Sequence, residues 1–274
     1  MAKELRYSLT IRSHFHIENF LGGHNNQTND SFFWLEEHDH GVRNFYFSSA
    51  LLSELELTNE IYHRAKQILS IFEGVYKLLD RNRNADTYFT IENIIDLNSG
   101  HTISNRQNSE IYKVDVDFST IIETPENNPK NPVYVLFEKI IKDAFLINLF
   151  FLLSNKVDYR MLYIIYDDIK FYLKEQKDDT FLKPFEKELK RFGHTANNYE
   201  VLGFFARHGR ANNDPPSSPM TLEESKNLIF DVIVKLLDEK LAIKLPDFWG
   251  MMYIDFSSVD LEDIQNLLTK EKKS

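Results

Sequence analysis

The dominant hydrophobic spacing of this chain shifts near residue 130, and that shift limits the folds open to it. Upstream the dominant period is two. Leu5, Tyr7, Leu9 and Ile11 fall on one side of an extended strand, and Phe15, Ile17 and Phe20 resume the apolar pattern after a phase slip. A long N-terminal strand or hairpin arm is the expectation. Residues 22–30 (GGHNNQTND) favour turns, and residues 31–35 and 42–48, both rich in Phe and Tyr, predict a hairpin across EEHDHG. Residues 59–80 interrupt this pattern with Ile61, Ala65, Ile68, Leu69, Phe72, Tyr76 and Leu79 at helical spacing. Two further extended candidates, 88–97 and 110–116, flank a polar turn region at 98–108. The stretch 124–132 (TPENNPKNP) then places three prolines in nine residues.

Downstream the period is three to four. Pro132 can start a helix reaching Leu153; Leu162, Tyr166, Ile169 and Leu173 mark another; Phe181, Phe185 and Leu189 a third; residues 197–207 a fourth. Thr221 and Glu224 form a T-x-x-E capping box ahead of Leu222, Ile229, Ile233, Leu236 and Leu237, with the helix ending near Lys240. Residues 249–256 read as extended and 259–268 as a final helix. The fold class expected is therefore α+β: residues 1–130 form a mixed strand and helix domain, and residues 131–274 a helical bundle with a short C-terminal extension.

Several function classes fall away on composition. No Cys is present, so thiolate catalysis, disulfides and Cys-ligated zinc are excluded. A formal charge of -10 argues against general DNA binding, which depends on Lys and Arg at phosphates, while leaving room for a local basic site. The charged, alternating start does not read as a signal peptide. The apolar run 144–153 is about half the length a bilayer requires and is closed by Lys142 and Asp143. A cytoplasmic protein without a membrane segment is expected.

Nine histidines raise metal binding. His14 and His16 share a strand face, and His38, Asp39 and His40 adjoin Glu36 and Glu37, a donor set suited to Zn, Mn or Ni. No H-E-x-x-H spacing occurs, and solvent-facing polarity explains both groups equally well, so no metal site and no cofactor are assigned. Neither a P-loop nor a dinucleotide glycine pattern is present, nor G-x-S-x-G.

The densest group of chemistry-bearing residues lies at 191–220 (RFGHTANNYEVLGFFARHGRANNDPPSSPM). It brings Arg191, His194, Arg207 and His208 together as candidate catalytic residues, with Asn197 and Arg210 as candidate ligand contacts. Pro215, Pro216 and Pro219 hold the following loop extended. The same residues also suit a purely architectural role: an Arg at a helix end offsets the macrodipole, and His or Asn beside glycine turns satisfies buried backbone groups.

HTANNYEVLGFFARHGRANNDPPSSPMTLEESKNLI resembles a C-terminal block of uncharacterised bacterial proteins, with TAN, ARHG, a proline-rich loop and PM-x-L-x-E. LYIIYDDI at 162–169 resembles a helix of the same proteins. A looser likeness is to HEPN-type helical domains, which resemblance implies a metal-independent ribonuclease or toxin-like effector of bacterial defence acting as a dimer. Their Arg precedes the His by four to six residues, whereas here His208 follows Arg207 directly and His194 lies three after Arg191.

Three functions are therefore weighed, the first as the leading expectation. The first is a bacterial binding or accessory protein, in a stress or anti-phage setting, that meets a protein partner or a second copy through the helical domain. Its motivation is 22 Phe and 13 Tyr, more aromatic surface than a core consumes. The second is RNA cleavage, with His208 or His194 as general acid/base and Arg207 or Arg191 stabilising phosphate charge. A metal enzyme built on the N-terminal histidines is the third.

Overall fold

The computed structural model describes residues 5–13, 17–18, 21, 31–38, 43–80, 89–104, 111–120, 132–209 and 214–245. Strands β1 (Tyr7–Arg12), β2 (Ser31–Glu37), β3 (Arg43–Ser49), β4 (Thr90–Asp96) and β5 (Thr102–Ser104) form one antiparallel sheet in the order β2-β3-β1-β4-β5. Helix α1 (Thr58–Leu79) lies between β3 and β4 in sequence. Helices α2 (Pro132–Ile140), α3 (Ala144–Ser154), α4 (Tyr159–Glu175), α5 (Glu186–Ala196), α6 (Tyr199–Leu202) and α7 (Leu222–Leu241) follow. The α+β class is thus as the spacing predicts, and the 31–48 hairpin forms with Phe33 opposite Phe47.

Alternation turns Tyr7, Leu9, Ile11, Phe33, Phe45, Phe47 and Ile94 to one sheet face, where they are buried with the apolar side of α1. Phe72 on α1 is the centre of this contact. It meets Phe33 and Phe47 of the sheet edge-on and stacks on Phe137 of α2 at 4.2 Å and 11°. The core therefore continues without interruption across the change of period at residue 130. Tyr134 reinforces the join: its buried hydroxyl accepts from Phe33 N (2.8 Å) and donates to Leu21 O (3.2 Å). Burial pushes its pKa far up, so the hydroxyl keeps its proton.

Helix α3 crosses α1 at Gly74, where a Cβ would lie 2.8 Å from the carbonyl carbon of Phe150. One turn on, the buried Lys77 donates to Ser154 O and to Asn155 O (2.9 Å), supplying cationic donors to the carbonyl end of α3. Helices α4 and α7 run in the same direction. Tyr159 donates to Met220 O (2.9 Å) where they begin, and Lys240 meets Asp178 where they end.

Several elements differ from the sequence expectation, each for a local reason. The helix expected from Pro132 to Leu153 is two helices, because the Asp143 carboxylate caps a new start by accepting from Leu146 N (3.1 Å). Part of the polar turn region at 98–108 is strand β5. Asp96 Oδ1 accepts from Asn98 N and Ser99 N, and Gly100 at φ +70 closes the β4–β5 hairpin. Residues 111–117 form no strand, since Gln67 of α1 satisfies Asp115 instead, through Nε2 to Oδ1 (2.7 Å) and from its backbone N (2.9 Å). Strand β1 ends at Arg12, and Ile17 is helical rather than extended. The expected elements at 249–256 and 259–268 lie outside the described residues. Among the described residues, no helix is long and apolar enough to cross a membrane.

Asp178 gives the α4–α7 end a pH signature. Lys240 above all, then the Thr180 backbone and hydroxyl, hold its carboxyl well below the usual carboxylate range. A depressed folded pKa contributes stability that is fully present above the unfolded value of about 3.9 and is lost progressively below it, as pH falls toward and through the folded value. The urea midpoint of the wild type is thus expected to fall between about pH 4 and pH 2 more steeply than that of Asp178→Asn. Parallel pH profiles for the two proteins would show the contact to be inert.

Candidate functional site

The 191–220 region folds into two separate clusters. Helix α5 buries Leu189, Phe192, Thr195 and Ala196, which leaves Arg191 and His194, three residues apart, on a second face. That face meets the proline loop. Arg191 donates from Nε to Ser218 O (3.0 Å) and from Nη2 to Pro219 O (3.3 Å) and Glu224 Oε1 (3.2 Å), and from Nη1 to Glu188 Oε2 (3.3 Å). His194 Nε2 donates to Asp214 O (2.9 Å), an oxygen also reached by Asn198 Nδ2 (3.1 Å). Thr195 Oγ1 accepts from Met220 N (3.0 Å) while donating to Arg191 O. Both ends of the loop are thereby tied to α5.

The expected capping box is complete: Glu224 N donates to Thr221 Oγ1 (3.1 Å) and Thr221 N to Glu224 Oε2 (2.7 Å). The Thr221 backbone and hydroxyl, followed by Arg191, hold Glu224 below the usual carboxylate range. Desolvation lowers the Arg191 pKa, but Glu224 and Glu188 outweigh it and the net shift is upward. Between loop and helix lies an open cleft of about 290 Å³ lined by Arg191, His194, Pro215, Pro216, Ser217 and Ser218.

Arg207 and His208 do not line that cleft. Arg207 N donates to Ala196 O (2.8 Å), while its guanidinium lies 4.1 Å over the Tyr163 ring and reaches Asp167 Oδ2 (3.2 Å), both on α4. His208 is exposed. Asn197 caps the end of α5, and its buried Oδ1 has no hydrogen-bond partner among the described residues. Arg210 lies outside the described residues. The four Arg and His candidates therefore do not converge on one reacting centre, and Arg191 in particular has its donors directed at carbonyls and carboxylates of its own chain.

The histidine groups of the N-terminal half give a similar picture where they are described. His38 Nε2 lies 2.8 Å from Asn44 Nδ2 and 3.5 Å from Glu36 Oε2. Among the described residues no three His, Asp or Glu side chains are grouped to hold a metal ion. His14, His16, Asp39 and His40 lie outside the described residues, as does the Glu37 side chain.

Sequence reasoning overlooked the feature that stands out most on this surface. In place of one helix over 197–207, Asn198 caps the short α6 by accepting from Val201 N (3.0 Å), and residues Gly203–Phe205 form a 3₁₀ turn. Gly203 has φ +56 and ψ -132, a conformation available essentially to glycine alone. The turn presents Phe204 and Phe205 at 69% and 52% exposure, with ring centroids 4.0 Å apart. Arg160 of α4 fixes it from behind, donating from Nε to Ala206 O (3.0 Å) and from Nη2 to Phe204 O. A pair of adjacent Phe residues was a legible signal, because neighbouring side chains on a short turn cannot both enter one core.

No protein-family model, curated protein or solved structure matches this chain.

Proposed function

We propose that this is a cytoplasmic bacterial binding or accessory protein that works through protein contacts, with the Phe204–Phe205 turn as its contact surface. The exposed, backbone-anchored aromatic pair carries this reading. Two phenyl rings held in water cost free energy that burial against a partner recovers, and a turn fixed by Arg160 and Gly203 loses little entropy on binding. Aromatic side chains are enriched at the centres of protein interfaces for this reason. The Arg191 and His194 network supports the same reading as scaffolding, since it holds the proline loop that adjoins α5.

The test is the Phe204→Ala, Phe205→Ala double variant. Because both rings are exposed, its thermal midpoint is expected to stay within a few degrees of wild type. A partner cross-linked to the wild type in its native host, or self-association measured by sedimentation, is expected to be lost. Unchanged association in a folded double variant overturns the assignment of this surface.

A second reading, metal-independent RNA cleavage by Arg207 and His208, draws on the exposure of His208 directly beside Arg207. Arg207 must then leave Tyr163 and Asp167 to meet a phosphate. Cleavage that persists in the Arg207→Ala, His208→Ala variant removes this reading.

A further inference from the structure

An apolar stripe continues from the aromatic turn along α4. Arg160, Ile164 and Phe171 recur at four and seven residues, so they share one face of that helix. Ile164 and Phe171 are 47% and 61% exposed, and Arg160 ties their face to the turn through Phe204 O. The exposed side chains of Phe204, Phe205, Ile164 and Phe171 thus follow one helix over about 16 Å, the rise from residue 160 to residue 171. A contiguous apolar patch of this kind marks a surface that another segment covers, where scattered single residues would not.

The chain itself delivers apolar side chains to one end of that stripe. Helices α4 and α7 end side by side: Lys240 meets Asp178, whose N–H donates to Leu173 O in the last turn of α4 (2.9 Å). Ala242 at φ 51 then stops α7, and Ile243 is buried there with its N–H on Leu237 O. The last described residue, Leu245, packs against the core close to the end of α4 that carries Phe171. Residues 246–274 lie outside the described residues, and their sequence holds a second apolar face in need of burial. Leu261, Ile264 and Leu268 have helical spacing within the helix expected at 259–268, with Glu262, Asp263 and Asn266 on its other side and Ser258 placed to cap its start.

Resting on the contact surface proposed above, we propose that residues 246–268 fold back over this stripe and lay Leu261, Ile264 and Leu268 against Phe171, Ile164 and the Phe204–Phe205 turn, so that a protein partner must displace the chain's own tail. The lengths agree. A ten-residue helix spans about 15 Å, close to the rise of the stripe. The residues 246–258 ahead of it reach up to roughly 43 Å when extended, several times the width of about 10–12 Å of the helix they round. Tethering favours this tail over a second copy: it holds a segment near its site at an effective concentration on the order of 1 mM, so a face that binds at only about 0.1 mM between separate molecules is about 90% covered within one. Charge makes no selection here, since Asp167 and Asp168 flank the stripe together with Lys170, and the tail carries its acidic side chains away from its anchors.

The chain has no Cys, so Asn266→Cys gives a nitroxide label one attachment point in the full-length protein. The readout is the isotope-labelled Ile164 methyl group, identified as the signal lost in Ile164→Leu. Its intensity is expected to fall several-fold when the nitroxide is present, by the same factor on dilution, and to recover in the Leu261→Glu, Ile264→Glu, Leu268→Glu variant with unchanged circular dichroism. That triple variant is also expected to capture several-fold more cross-linked partner in the native host than the wild type does. An Ile164 signal indifferent to the label overturns the proposal, and loss of the partner in Phe204→Ala, Phe205→Ala then leaves the contact surface standing without a cover. Broadening between a nitroxide-bearing chain and a separate isotope-labelled chain assigns the stripe to a second copy and likewise overturns it. Where a partner is captured, equal capture by the triple variant and the wild type does the same. Broadening within one chain, with no association at Phe204 and Phe205 even in the triple variant, supports the covering tail and removes the binding reading instead.

Discussion

Gly74→Ala is expected to destabilise the protein by about 1–3 kcal/mol, the reverse of what this substitution does in an ordinary helix. Inside a helix, alanine is normally better than glycine by roughly 0.5–1 kcal/mol, because glycine loses more backbone freedom on folding. At position 74 the added carbon points at the Phe150 backbone, 2.8 Å from its carbonyl carbon and 3.1 Å from its Cα. A backbone cannot rotate aside as a flexible side chain does, so α1 and α3 must separate. Separation then strains the contacts that depend on the crossing, including Lys77 with Ser154 O. Urea unfolding of wild type and variant measures the effect directly. A variant as stable as wild type would show that the two helices do not approach this closely.

Phe72→Ala is expected to cost more, about 3–5 kcal/mol, with a fall in thermal midpoint of roughly 10 °C. The ring is fully buried and touches Phe33, Phe47, Tyr134 and Phe137, so its loss opens a cavity walled by rings from the sheet and from α2. Because those rings come from both sides of residue 130, the weakened protein is expected to unfold in one transition. Circular dichroism, dominated by the helices, and Trp fluorescence in a Trp249→Phe background, which leaves Trp34 in β2 as the reporter, are predicted to give coincident midpoints. Two separated transitions would show that the shared core does not couple the sheet to the helices.

The fold was legible where hydrophobic spacing ran undisturbed and illegible where a polar side chain set the boundary. Alternation in 7–11 and the 61–79 helical pattern needed only the burial of one face, and both elements formed. The break at Asp143 depends on one carboxylate reaching one N–H, and a capping Asp inside a hydrophobic stretch is easily read as a mere interruption. Gln67 is a harder case, since its bonds to Asp115 span the sequence and no local pattern announces them. At the candidate site, the residue types of 191–208 were legible but their directions were not. Arg191 meets the proline loop and Arg207 meets α4 because the chain turns at Asn198 and Gly203, and side-chain direction after such turns is set by backbone angles that composition does not disclose.

One consequence of the Tyr134 hydroxyl concerns solubility rather than stability. Strand β2 is an edge of the sheet and carries the run SFFWL, the kind of segment onto which another chain can add a strand. The outward N–H of Phe33 in the middle of that edge is already bonded to Tyr134, so an incoming strand cannot form its ladder there without displacing α2. A single phenol thus guards the sheet against growth by its own neighbours, and aggregation rate is the property that its replacement by Phe would be expected to change first.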